Sequence, residues 1–400
     1  MTAPWVERPA LGRKEMAHVR RRLIFDCRKW DPQTQDVAVL SPAPLVLRRH
    51  AWRELAGTAE ALFAESLACE EEILRRPRLL ASLGLPRGIV RALAPSPPGV
   101  RIMRFDFHPT REGWRLSEVN ADVPGGYIEA SGFSTLVSEV APGCVTVGDP
   151  AAGIAGALAR FVPPGSVVAL VHATAYADDA QVMRFLAARL SAAGFRPMPV
   201  GPRHVRWEQD GARLACAWSR EAVGAVVRFF PAEWLPQLPR GEWRPYFAPS
   251  PTLQANPPSA LILQSKRFPL LWEQLRSPLP TWRRLLPPTV DPREVRLDDG
   301  TWVLKSVLGR VGDGVGVPGI TAPERWRKMC RAASFHPRAW VAQRRFESWG
   351  RATDGGTDHL CIGVFVIDGR VAGAYGRAAG RALIDAEARD VAVLVEAEAA

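Results

Sequence analysis

The sequence has no CxxC pair: its six cysteines, at positions 27, 69, 144, 216, 330 and 361, are scattered over 400 residues. That spacing argues against a zinc module or a disulfide framework and predicts reduced thiols in a cytosol. No stretch approaches the roughly 18 apolar residues of a membrane span, and the N-terminus MTAPWVERPALGRKEMAHVRRRLIF lacks the apolar run of a signal peptide. The expectation is therefore a cytoplasmic protein with no membrane partner. The net charge is +11, yet there is no dense basic tail and no RNA-binding signature. A spread of arginines is a compositional bias before it is a polyanion site, so no nucleic-acid partner is expected. No internal repeat, no GxxxxGK[ST] loop and no Ser/His/Asp or Cys/His constellation is present. What is there is the composition of a soluble globular protein, 47% hydrophobic and 23% charged, long enough for two or three domains.

The most informative stretch is RIMRFDFHPTREGWRLSEVNADVPGGYIEA, residues 101–130. RIMRFDF and WRLSEVN alternate as strands do, and HPTREG between them is turn material. With the turn centred near Glu112, Asp106 falls opposite Glu118 and Arg104 opposite Asn120. Cross-strand partners sit roughly 5 Å apart at Cβ, and like charges placed there repel. Two facing carboxylates beside an amide oxygen therefore call for a hard divalent cation such as Mg²⁺. The other parity, Met103, Phe105, Phe107 and Val119, is apolar and predicts a core face. A one-residue slip would scatter the group.

Along the chain, 45–94 reads as helices, APSPPG (94–99) as a break, and 126–141 as helical after a PGG turn. From about 150 the order helix, VVALVHA strand, amphipathic helix 178–194, RPMPVGP strand and GAVVRFF strand indicates a small parallel α/β sheet. Residues 231–260, rich in proline, read as a connecting loop. From about 261 strands dominate, and the Ala/Glu-rich tail reads as helix-like.

WVLKSVLGRVGDGVG (302–316) predicts a strand followed by a glycine-rich loop, whose backbone amides can turn inward onto phosphate oxygens. Such a loop is as readily an ordinary turn. Lys305 in its apolar strand serves an anion or snorkels to solvent. Lys266, in LILQSKRFPLLW between an apolar strand and a helix start, and Arg377, near the end of a strand pair, carry the same ambiguity. Taken together, an acid–amide cluster, two lysines, a glycine loop and flanking arginines make up a Mg-nucleotide phosphoryl-transfer site.

These motifs resemble, in order, those of the glutathionylspermidine-synthase-like branch of the ATP-grasp ligases. RFDF…EGWRLSEVNADVPGG resembles its metal-binding motif, an R-x-D followed by an E-x-N twelve residues after the Asp. SKRFPLLW resembles its nucleotide-lysine motif, WVLKSVLGRVGDGV its lysine strand and loop, AWVAQRRFE its adenine-pocket segment, and IGVFVIDGRVAGAYGR its late strand pair. The resemblance covers residues 25–385. It implies Asp106, Glu118 and Asn120 on magnesium, two ions in this family. It implies ATP held by Lys266, Lys305, Gly309, Arg310, Gly312 and Gln343, and Arg104 and Arg377 on the transferring phosphoryl group. The fold implied is α+β: an ATP-grasp core in permuted order, metal ligands before lysines, with a helical N-terminal region and an inserted small parallel α/β unit. The divisions expected are 1–148, 149–258 and 259–400. The activity implied is ATP-dependent joining of a small-molecule or peptide carboxylate to an amine through an acyl phosphate, without a preceding amidase domain. A non-catalytic ATP-binding protein on the same fold is the alternative. Ser306 stands where the family has proline, and ALIDAEARDVAVLVE departs from the family's C-terminal elements. His108 beside the acids reads as a satisfied strand-end histidine before a substrate contact. Glu129 could hold a substrate amine or simply begin a helix.

Overall fold

The computed structural model describes residues 2–30, 33–34, 37–95, 99–310, 312, 314–353 and 356–398. Its fold is mixed α+β with several sheets. The hairpin strands Ile102–Thr110 and Gly113–Asn120 form one side of an antiparallel sheet. The sheet continues through Gly356–Ile367, Arg370–Ala379 and Arg389–Val391, with Arg351–Thr353 also paired to Gly356–Ile367. Met103, Phe105, Phe107 and Val119 are buried on one face, as their parity predicts, and Leu116, of the opposite parity, joins them through a bulge in its strand. Helix Arg49–Leu74 packs there with Leu55, Leu62, Phe63 and Ile73. Burying each such side chain stabilises by about 1.5–3 kcal/mol. Glu70 of this helix accepts both guanidinium nitrogens of Arg101, at 2.7 and 2.6 Å, where the chain enters the hairpin.

The hairpin register is the expected one, reached by a different route. The turn is the two-residue Arg111–Glu112, closed by the Thr110–Gly113 pair, and a bulge then shifts the pairing between Asp106 and Phe107. Continued without that bulge, the ladder would set Ser117 opposite Asp106 and turn Glu118 toward the core. The extra residue, Ser117, brings Glu118 onto the polar face.

A second sheet has a parallel centre. Val167–Val171 lies between Arg196–Val200 and Ala222–Arg228, and Leu253–Ala255 also runs parallel to Ala222–Arg228. Helix Ala177–Ala192 makes the crossover. Asn256, just beyond this sheet, ties it to the hairpin. Its Nδ2 donates to Ile102 O at 2.7 Å and Ala121 O at 2.8 Å, and its Oδ1 accepts from Ile102 N at 2.7 Å. A third, antiparallel sheet carries the lysine strand: Thr289–Val290, Trp340–Arg344, Trp302–Ser306 and Val315–Gly316 in that order. It is backed by helix Pro323–Phe335 through Leu304, Ala342, Met329 and Ala333.

Three local expectations are corrected. The Ala/Glu-rich tail is strand, not helix: Val393–Glu396 is sandwiched between Leu45–Leu47 and Cys144–Thr146, so its apolar run is buried by pairing. By the same pairing Leu45–Leu47 is strand, and the helix begins only at Arg49. The segment before Lys266 is the short helix Leu261–Gln264, entered through Pro257 and Pro258, not a strand.

Candidate functional site

Arg104, Asp106, Glu118 and Asn120 share the hairpin face opposite helix Arg49–Leu74. Arg104 grips Asp106 as a fork, with Nε donating to Oδ1 at 2.7 Å and Nη2 to Oδ2 at 2.9 Å. Its Nη1 donates to Gly125 O at 2.6 Å, and the guanidinium lies 5.3 Å from the centre of the Tyr375 ring. Asn120 Nδ2 donates to Asp106 Oδ2 at 3.0 Å. Such a bidentate pair fixes the carboxylate plane as well as its charge. It depends on Gly363, which pairs with Asp106 from the adjoining strand. A Cβ at Gly363 would lie 2.6 Å from Arg104 Cδ and 2.9 Å from Asp106 Oδ1.

Glu118 meets the lysines. Lys266 Nζ is 3.1 Å from Glu118 Oε2 and donates to Gly309 O at 2.7 Å. Lys305 Nζ donates at 2.9 Å to Ser117 O, the carbonyl of the bulged residue. Burial pushes the Glu118 carboxyl up, but Lys266 and Lys305 outweigh it and hold it at about 2. Burial lowers Lys305 to about 8, Glu118 opposing and Lys266 reinforcing the shift. His108 is lowered to about 4 by burial and by Lys305, and its Nε2 lies 3.0 Å from Ser117 Oγ. It is a half-buried, partnered, neutral imidazole.

Arg310 turns away from these acids. Its Nη2 lies 2.6 Å from Glu233 Oε1 and 3.3 Å from Asp122 Oδ2. Gly312 has φ +72° and presses on the chain opposite; a Cβ there would meet Asp385 Cα at 2.8 Å. Val311 and Asp313 of the same loop lie outside the described residues. Gln343, buried, pairs with Val303 across the lysine strand and donates from Nε2 to Thr289 Oγ1 at 3.1 Å. Arg377 Nη2 donates to Asp385 O at 2.5 Å and Ala388 O at 3.3 Å. Arg104, Asp106, Glu118, Asn120, Lys305, Gly309, Arg310, Gly312, Gln343 and Arg377 surround one cavity of about 430 Å³. Lys266 borders a small adjoining space shared with Glu118, Lys305 and Gln343. Glu129 is elsewhere: it lines a second chamber that touches the first through Gly126, Tyr375 and Arg377.

Among the described residues no group of three or more His, Cys, Asp and Glu is arranged to hold a metal. Two carboxylates and an amide nonetheless fit Mg²⁺, which takes one or two protein carboxylates and completes its shell with water and phosphate oxygens.

The model of the glutathionylspermidine synthase pre-ATP-grasp family matches residues 43–396. The chain belongs to that family. A glutathione synthetase-like effector from Globodera pallida, solved in its apo form, superposes with a TM-score of 0.64 at 13% identity. That alignment covers 96% of this chain and 99% of the other, and at such identity it speaks for the fold alone. A protein described as a gamma-glutamylcysteine synthetase from Methylobacillus flagellatus KT aligns at 12% identity over 80% of this chain and 82% of its own, with a TM-score of 0.42. No curated protein matches.

This pre-ATP-grasp chain also positions its site through residues that the motif spacing did not single out. Asp122, wholly buried, pairs with Arg228 through Oδ1 at 2.5 Å and accepts from Ala232 N at 3.0 Å and Arg310. Gln264 Oε1 accepts from Ala121 N and Asp122 N at 3.0 and 3.1 Å. The end of the hairpin's outgoing strand is thus held by residues more than a hundred positions away in the chain. The signal available in sequence was an acid directly after the SEVNA segment and a lone arginine inside the apolar GAVVRFF run.

Proposed function

We propose that this chain is an ATP-dependent carboxylate–amine ligase on a permuted ATP-grasp core, working through an acyl phosphate with release of ADP and phosphate. The observation that carries it is the facing of Asp106 and Glu118 in register, with both lysines at the same place. In this reading residues 1–148 supply the metal-binding hairpin, 149–258 the α/β unit and 259–400 the lysine strands and covering loop. Asp106, Glu118 and Asn120 would hold Mg²⁺, which would supply charge neutralisation at the phosphates. Lys305, Lys266 and the loop from Gly309 through Gly312 take the triphosphate, and Gln343 sits on the adenine side. Arg377, beyond the hairpin, faces the transferring phosphoryl group together with Arg104.

The chemistry then asks positioning and charge stabilisation of the protein, not a nucleophile. A substrate carboxylate oxygen attacks the γ-phosphorus and ADP leaves. An unprotonated amine attacks the acyl carbon, phosphate leaves with the C–O bond electrons, and the nitrogen gives up a proton. Arg310, tied to Asp122 and Glu233, places the loop over the cavity and limits water.

The test is a screen of acid–amine pairs with MgATP, reading ADP release and product mass. ADP and phosphate with an amide product are expected. AMP and pyrophosphate would overturn the acyl-phosphate route. ATP binding without turnover under every pair would favour the non-catalytic alternative.

A further inference from the structure

The second chamber, about 260 Å³, opens beside the reaction cavity and shares Gly126, Tyr375 and Arg377 with it. Its polar wall is unusual in where one charge comes from. Glu129 and Asp390 belong to the segment that matches the family, residues 43–396, whereas the ammonium between them belongs to Lys29, outside that match. Lys29 Nζ donates to Glu129 Oε1 at 2.5 Å and lies 3.2 Å from Asp390 Oδ2. Asp390 Oδ1 also accepts from Tyr375 OH at 3.1 Å, and that ring carries the Arg104 guanidinium. The chamber is therefore wired to the reaction cavity.

Lys29 is delivered there by structure. After helix Arg13–Phe25, Arg28 turns the chain with φ +65°. Cys27 is buried against Gly132, where even a Cβ would come within 2.8 Å of its sulfur. Trp30 N donates to Gln181 Oε1 at 2.7 Å, and Arg184 lies over the Trp30 ring at 5.0 Å. The residues on both sides of Lys29 are thus held, and its side chain is 14% exposed. Formally the chamber lining carries three carboxylates, Glu129, Asp178 and Asp390, against two cations, Lys29 and Arg377.

We infer that this chamber receives the acceptor amine and that Lys29 stands in for a remote ammonium of that acceptor, so that the enzyme takes amines bearing one amino group in preference to diamines and polyamines. This rests on the ligase reading above. The attacking nitrogen must be unprotonated, so a chamber beside the reaction centre reads whatever second charge the acceptor carries. Two carboxylates around an ammonium-sized space suit such a charge. Here the protein fills that place itself. A second ammonium entering would meet Lys29 at close range in a partly dehydrated space, where like charges repel strongly.

The experiment is binding calorimetry of butylamine and 1,4-diaminobutane to the full chain, wild type and the variants Lys29→Met and Lys29→Arg. Lys29→Met is expected to bind 1,4-diaminobutane about tenfold tighter than wild type, an effect of one unneutralised buried charge after solvent screening. Lys29→Arg should not, and butylamine, whose single ammonium can also fill the vacated place in Lys29→Met, should gain less there than the diamine. Asp390→Asn added to Lys29→Met should remove the gain, which a merely structural lysine would not produce. Equal diamine affinity in wild type and a folded Lys29→Met would overturn the inference. If Lys29→Met does not fold, Lys29→Gln carries the same comparison. If neither folds, the charge is structural and the inference falls. MgATP binding and ADP release are measured on the same proteins. ADP release without the diamine effect sinks this inference alone, whereas the diamine effect without ADP release under any pair sinks the ligase reading and leaves an amine-binding chamber.

Discussion

One added methyl group at Gly363 probes the site more sharply than removing any of its charges. Gly363 pairs with Asp106 at the centre of the sheet, and Gly363→Ala would put a Cβ 2.6 Å from Arg104 Cδ, 2.8 Å from its Nε and 2.9 Å from Asp106 Oδ1. Its own backbone lies outside the left-handed region, so the cost comes from crowding and not from strained dihedrals. Overpacking of this kind costs about 1–3 kcal/mol. The fold should survive with a lowered urea midpoint, because the core cluster on the sheet's other face is untouched. What should fail is the fork: Arg104 must leave Asp106, and a displacement of about 1 Å at a reacting centre lowers turnover on the order of a hundredfold. Urea titration, MgATP calorimetry and ADP release on one preparation separate the two effects. Gly57→Ala is the control, since nothing lies within 4 Å of a Cβ at this position inside helix Arg49–Leu74. It should stabilise by about 0.5–1 kcal/mol and leave activity alone. Wild-type MgATP affinity and ADP release in Gly363→Ala would refute the claim that the Arg104–Asp106 geometry serves phosphoryl transfer.

Glu118→Gln should abolish MgATP turnover while retaining the fold, checked by ADP release beside circular dichroism. Without nucleotide, the Glu118 carboxylate, held at about 2 against an ordinary 4.5, contributes stability above that ordinary value and loses it as pH falls toward 2. The stability difference between wild type and Glu118→Gln should therefore shrink across that window in urea titrations. Lys305, lowered to about 8 from 10.5, binds fewer protons folded than unfolded between those values, so apo stability should rise with pH there, and Lys305→Met should flatten the rise. Asp122→Ala leaves the wholly buried Arg228 without its carboxylate and should cost about 3–5 kcal/mol by denaturant titration. Its survivors should bind MgATP more weakly, because Arg310 loses an anchor.

The hairpin was legible because its information is local. Alternation marks the two strands, a turn segment joins them, and two acids facing each other demand an explanation from the pattern alone. The order of motifs carried the rest of the site, since each lysine sits within a few residues of a recognisable apolar run. What sequence reading missed is held by contacts far apart in the chain. The tail reads as helix from its alanines and glutamates, but Val393–Glu396 finds partners in Leu45–Leu47 and Cys144–Thr146, about 350 and 250 residues earlier on the separation scale where pairing overrides propensity. Asp122, Asn256 and Gln264 are unremarkable by type; their roles exist only once segments far apart in the chain meet at the hairpin's end. Ser117 shows the limit most clearly. A two-residue turn and a perfect ladder would have sent Glu118 into the core, and the single extra residue that prevents this also presents its carbonyl to Lys305. A bulge leaves no compositional mark. Without it Glu118, an acid, would be buried unpaired among Phe105 and Phe107 at a heavy desolvation cost, so the register that spares it is the one that gathers the candidate site.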